Sequence, residues 1–191
     1  MSAIARRAQL IEVGRSVFAE RGFDAATVEE IAERAGVSKP IVYEHFGGKE
    51  GLYAVVVDRE IEDIVRRTSE VIAHGTARER LERAALEFLR YARDHPDGFA
   101  VLNRDTPGGL PTLLVDLAQR VGDVFTDQFR AAGYDPKYAP IYAQALVGMV
   151  TFVAQSGPKD RKMSVEDVGA HIVALAWMGL RHLPKDPKLS I

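Results

Sequence analysis

The 191-residue sequence predicts an all-α protein. Every segment that can be phased repeats its apolar residues at i, i+3 and i+4, and no alternating apolar and polar run bounded by turn residues marks a strand. Glycine, proline and capping residues punctuate these segments at intervals of about one helix. Hydrophobic residues make up 47% and charged residues 27%, a globular balance that can bury a core. At this length one domain or two small ones fit.

Each element has a local reason. In the first segment Leu10, Ile11, Gly14, Val17 and Phe18 recur at helical spacing. It stops near Arg21-Gly22, because glycine adopts the left-handed conformation of a helix end without strain. Thr27 opens a second helix, with Glu30 three residues on completing a capping box ahead of Ile31 and Ala35, and Gly36 ends it. Ser38 caps a short third helix through Lys39, Pro40, Ile41, Val42, Tyr43, Glu44 and His45. Pro40 is tolerated there because the first turn has no intrahelical N–H bonds to lose.

Phe46-Gly47-Gly48 closes the third helix, and a longer one runs from Lys49 to about Ala73. The Gly75-Thr76 turn leads into a helix carrying Leu81, Ala85, Phe88, Leu89 and Ala92. The His95-Pro-Asp-Gly and Thr106-Pro-Gly-Gly-Leu-Pro stretches are expected to break the chain twice. Leu113 to Ala132, Tyr138 to Ser156 and Ser164 to His182 fill the rest as three helices, and the tail after Leu183 is expected to fray.

Several function classes are set aside by composition. With no cysteine, disulfides, thiolate metal sites and cysteine nucleophiles are excluded, which fits a reducing cytoplasm. The longest apolar stretches, Ala145 to Ala154 and Ile172 to Leu180, fall short of the ~18 residues of a spanning helix, so no membrane partner is expected. The N-terminus runs straight into an amphipathic pattern without a signal core. A net charge of -2 means that any nucleic-acid binding rests on a local patch. Gly47-Gly48-Lys49-Glu50 is not a phosphate loop, since Tyr43 replaces the leading glycine and Glu50 the Ser/Thr that would hold magnesium. No metalloprotease or nucleophile-elbow motif occurs, and His45, His74, His95, His171 and His182 are scattered, so no catalytic residue, metal or cofactor is expected.

The segment that carries chemistry is a helix-turn-helix. Its geometry requires a small residue at the helix crossing, glycine in the turn and apolar residues at the joint. Ala32, Gly36, and Ile31, Val37 and Val42 supply these. The wider pattern is Phe18-Ala-Glu-Arg-Gly-Phe, Thr27-Val-Glu-Glu-Ile-Ala, Ala35-Gly-Val-Ser-Lys, Val42-Tyr-Glu-His-Phe and Lys49-Glu-Gly-Leu. Across about residues 5 to 55 it closely resembles the DNA-binding domain of tetracycline-repressor (TetR) family transcription regulators. The resemblance implies a three-helix DNA-binding domain, residues 1–48, followed by a larger helical ligand-binding and dimerisation domain, residues 49–191. It also implies a homodimeric repressor released from a palindromic double-stranded DNA operator by a small-molecule effector.

On the third helix the side opposite Val42 carries Pro40 and Glu44, flanked by Lys39 and Tyr43 on one edge and Ile41 and His45 on the other. In a major groove Lys39 can donate to guanine or phosphate, Glu44 can accept from cytosine N4, and Pro40 and Ile41 can touch thymine methyls. Thr27, Ser38 and Lys49 stand at helix starts, where backbone N–H groups favour phosphate. By resemblance, Tyr43, His45 and Lys49 contact the DNA backbone or adjoining bases. The alternatives are a packed His45, a solvated Lys39 and a Tyr43 that closes the small core.

The last two helices are apolar on more than one face, which predicts a dimer seam of Leu146, Val150, Val153, Ile172, Leu175 and Met178, the other reading being a buried hairpin in a monomer. Candidate pocket residues are Phe88, Tyr91, Phe99, Asn103, Arg104, Phe125, Phe129, Tyr142, Met149, Phe152 and Trp177. They would suit a hydrophobic or amphipathic effector. A helical small-molecule carrier or enzyme without DNA binding, or a helical adaptor, stays open as the alternative.

Overall fold

The computed structural model describes residues 1–103, 110–156 and 163–189. Every regular element among them is helical: α1 (Ala3–Ala25), α2 (Val28–Arg34), α3 (Lys39–Phe46), α4 (Lys49–Ile72), α5 (Ala77–Asp94), α6 (Pro96–Asn103), α7 (Leu110–Ala132), α8 (Ala139–Ser156) and α9 (Val165–Arg181), with a 3-10 turn at Pro136–Tyr138. No helix among the described residues is long and apolar enough to cross a membrane. The chain forms two compact units, one of Met1–Ile64 and Asp94–Thr112, the other of Val65–Arg93 and Leu113–Ile191.

The first unit is built on local signals. Gly22, at φ 79°, breaks the regular helix inside α1 where the sequence places its stop. Thr27 Oγ1 accepts the Glu30 N–H at 3.1 Å and caps α2. The expected capping box forms only by half, because the Glu30 carboxylate takes Arg34 at 2.6 Å and Arg21 at 3.3 Å instead. Leu10, Val17, Phe18, Ile31, Val42, Leu52 and Val56 are fully buried and make the core, each large apolar side chain contributing about 1.5–3 kcal/mol by burial. Phe18, Phe23 and Tyr53 add an edge-to-face cluster with centroids 4.9 Å and 5.0 Å apart at Tyr53.

One helix contradicts the sequence reading. His95-Pro-Asp-Gly, expected to break the chain, instead starts α6, with Pro96 as its first residue. Proline fits that position because its fixed φ suits a helix start and its missing N–H would be unpaired anyway. α6 packs on α1 and buries Phe99, Val101 and Leu102.

In the second unit α5 and α7 are strongly amphipathic, and Phe88, Leu89, Leu117, Phe129, Ala143, Ile172 and Val173 form its core. Phe129 is ringed by Phe125, Tyr134 and Tyr142 at 5.3–6.0 Å. A complete capping box opens α9, in which Ser164 Oγ accepts the Asp167 N–H and Asp167 accepts the Ser164 N–H.

Candidate nucleic-acid interface and effector cavity

α2 and α3 are joined by a turn in which Gly36 sits at φ 64° and Val37 N–H donates to Ala32 O at 2.9 Å. Gln9 Nε2 donates to Ala35 O at 3.1 Å, tying α1 to that turn. With Ile31 and Val42 fully buried and Ala32 at the crossing, the outer side of α3 is fixed by the joint beneath it. Lys39, Pro40, Tyr43 and Glu44 are exposed, and Ile41 and His45 half-buried. Tyr43, 53% exposed, is therefore not a core residue. The Ser38 hydroxyl caps nothing in α3, and Thr27 is exposed at the start of α2.

Electrostatically this surface is paired within the protein. Lys39 is bonded to Glu29 of α2, and that hydrogen bond, with a backbone one, holds the Glu29 carboxyl below the usual carboxylate range. Arg34 bridges Glu20 and Glu30, which lowers the Glu20 pKa and raises that of Arg34. DNA phosphates would therefore have to compete with carboxylates for these cations. Lys49 turns its Nζ inward to Phe23 O at 2.9 Å, 4.4 Å from the Phe23 ring centroid. There the ammonium meets carbonyls at the end of α1, an attraction that a solvated lysine lacks.

The second unit holds a cavity of about 110 Å³ where four helical stripes meet. α4 supplies Thr68 and Ile72, α5 Leu81, Ala84, Ala85 and Phe88, α7 Leu117, Val121, Val124 and Phe125, and α8 Leu146, Val147, Val150 and Thr151. Within each helix these residues follow three- and four-residue spacing, so each stripe is one face. The surface is almost wholly apolar, with Arg80 and Gln128 as the other polar members.

A family model for bacterial regulatory proteins of the tetR family matches residues 10–56, the span of the helix-turn-helix and its supports. The transcriptional activator FasR of Mycolicibacterium smegmatis is 31% identical over 94% of this chain and 84% of its own length. The chain belongs to the TetR family. It is a DNA-binding transcriptional regulator by that membership. The transcriptional repressor KstR2 of Rhodococcus jostii is 34% identical over 44% of this chain and 39% of its own length. A TetR-like regulator structure from Rhodococcus sp. RHA1 matches with TM-score 0.74 at 26% identity over 95% of this chain and 99% of that one. A regulator structure from Pseudomonas aeruginosa PAO1, at 19% identity, shares the fold with TM-score 0.81 over 97% and 94%.

Of the residues expected to face DNA, Ser38, Lys39, Pro40, Ile41, Tyr43, Glu44 and His45 lie on α3 or at its start, and Thr27 and Lys49 at the starts of α2 and α4. The pocket residues do not come together. Of those expected, Phe88 and Phe125 line the cavity. Phe99 and Asn103 belong to the first unit, in α6. Tyr91 and Phe129 are buried in the second unit, Tyr142 is half-buried with its ring tilted against that of Phe129, and Met149 and Trp177 are half-buried away from the lining. Phe152 is 68% exposed, the opposite of a pocket residue. Arg104 lies outside the described residues. The seam residues divide as well. Leu146, Val150 and Ile172, expected in the dimer seam, are buried in their own chain, and Val153 is half-buried. Ile141, Phe152, Leu175 and Met178 are the exposed apolar groups of α8 and α9. Sequence reasoning missed Thr68, Leu81 and Val121, for which the signal was amphipathic phase and not aromatic content.

Proposed function

We propose that this regulator is a homodimeric, cytoplasmic repressor whose grip on a pseudo-palindromic operator is released by an apolar effector held in the α4, α5, α7 and α8 cavity. The observation that carries the reading is the presence of an exposed recognition face on α3 in the first unit and an apolar cavity in the second, α4 contributing residues to both units. The exposed Ile141, Phe152, Leu175 and Met178 support dimerisation through α8 and α9, because large apolar side chains left in water on neighbouring elements of the chain favour an association surface. Residues 1–48 serve as the DNA-binding domain and 49–191 as the effector and dimerisation domain. Two recognition helices must lie about 34–36 Å apart to enter successive major grooves, so a tilt of α4 in each subunit would spoil the spacing.

The test is reciprocal titration on a duplex selected from a random pool by the protein itself. A ligand that weakens DNA binding must itself bind more weakly, by the same factor, when operator is saturating. Equal ligand affinity with and without the duplex refutes ligand-controlled release.

A further inference from the structure

We propose that Thr68 makes the cavity selective for a neutral, mostly hydrocarbon ligand bearing one hydroxyl or carbonyl oxygen, an inference that rests on reading this cavity as the effector site. Three hydroxyls near it differ in one respect. Thr151 Oγ1 donates to Val147 O at 2.8 Å, and Ser69 Oγ donates to Val65 O at 2.7 Å, each returning to the carbonyl four residues back. Thr68, only 7% exposed on the lining, has an Oγ1 with no hydrogen-bond partner among the described residues. A buried hydroxyl left unpaired is destabilising, and a ligand oxygen placed beside it removes that cost.

The rest of the lining decides the ligand's charge. Arg80 is half-buried and gives its Nε to Gly75 O at 3.0 Å, while Gln128 is exposed. No cation among the described residues stands within hydrogen-bond distance of Thr68 Oγ1, so a carboxylate seated on that hydroxyl would lose more in desolvation than one hydrogen bond returns. A plain hydrocarbon would leave the orphan unpaired, and a polyol would bury further unpaired oxygens. The volume of about 110 Å³ approaches the roughly 150 Å³ of an apolar cavity that admits benzene, so a single ring is the unit that fits.

Toluene, benzyl alcohol and benzoate share that ring and differ in the head group. Titrated into the full chain and followed by the methyl resonances of Leu146 and Val150, benzyl alcohol is expected to bind roughly fivefold tighter than toluene, and benzoate more weakly than either. Thr68→Val is expected to abolish the preference for the alcohol and to raise the melting temperature of the ligand-free protein, whereas Thr68→Ser retains the preference. An alcohol preference that survives Thr68→Val, or benzoate binding as tightly as benzyl alcohol, overturns the proposal. Binding of all three without preference refutes Thr68 alone; failure of all three to perturb those methyl groups refutes the cavity as a ligand site and with it the effector reading.

Discussion

Gly51→Ala is the sharpest test of how the recognition helix is held. Gly51 lies in the first turn of α4, and an ideal Cβ built there falls 1.9 Å from the Phe46 carbonyl oxygen at the end of α3. Carbon and oxygen normally approach to about 3.3–3.6 Å, so the two backbones would have to part by roughly 1.5 Å. Overpacking costs about 1–3 kcal/mol, and a backbone obstacle that cannot rotate away belongs near 3 kcal/mol. Alanine returns about 1 kcal/mol through helix propensity, leaving about 2 kcal/mol of net loss. For a chain of this size that lowers the melting temperature by about 4–8 °C. Binding to the selected duplex is expected to fall further than stability does, because the displaced element is α3 itself. Gly122→Ala is the control: its Cβ would sit 3.7 Å from Ala143 Cβ, an ordinary contact, and the variant is expected to match or exceed the wild type in thermal scans. A Gly51→Ala protein that melts at or above the wild-type temperature refutes the close approach.

Lys39→Ala and Tyr43→Ala are each expected to weaken duplex binding with unchanged circular dichroism, and Lys39→Ala to reduce the log-log salt slope by about 0.9 if Lys39 reaches phosphate; lost helicity in both would mean the residues are structural. Leu175→Glu, on a side chain 69% exposed, is expected to give folded monomers by sedimentation, whereas Leu146→Glu, at 8% exposure, is expected to unfold the second unit. A Leu175→Glu protein that still sediments as a dimer would remove α9 from the seam. The Glu20 pKa is lowered by its hydrogen bond to Arg34, so the stability it adds is present above the ordinary value of 4.5 and is lost as pH falls through the lower folded value. Urea midpoints are therefore expected to drop across that acidic window and to drop less in Glu20→Gln; identical pH profiles would show the pair to be idle.

By itself the sequence determined the helix-turn-helix, because everything that builds it lies within a few residues: the Thr27 cap, Gly36 at a positive φ that glycine alone takes freely, and Ile31 and Val42 one joint apart. It also determined the helix count apart from α6, where proline and glycine read as a break although Pro96 is a permissible first residue. Tertiary structure decided the rest. A helix that is apolar around most of its circumference has no phase to read, so only packing could turn Leu146, Val150 and Ile172 inward and leave Phe152, Leu175 and Met178 outside. That the end of α1 lies against the Lys49 ammonium was likewise decided by packing. The cavity was illegible for a deeper reason: it is the space that four helices fail to fill, a property of their mutual distances that no single stripe encodes, and the same packing left the Thr68 hydroxyl without a partner.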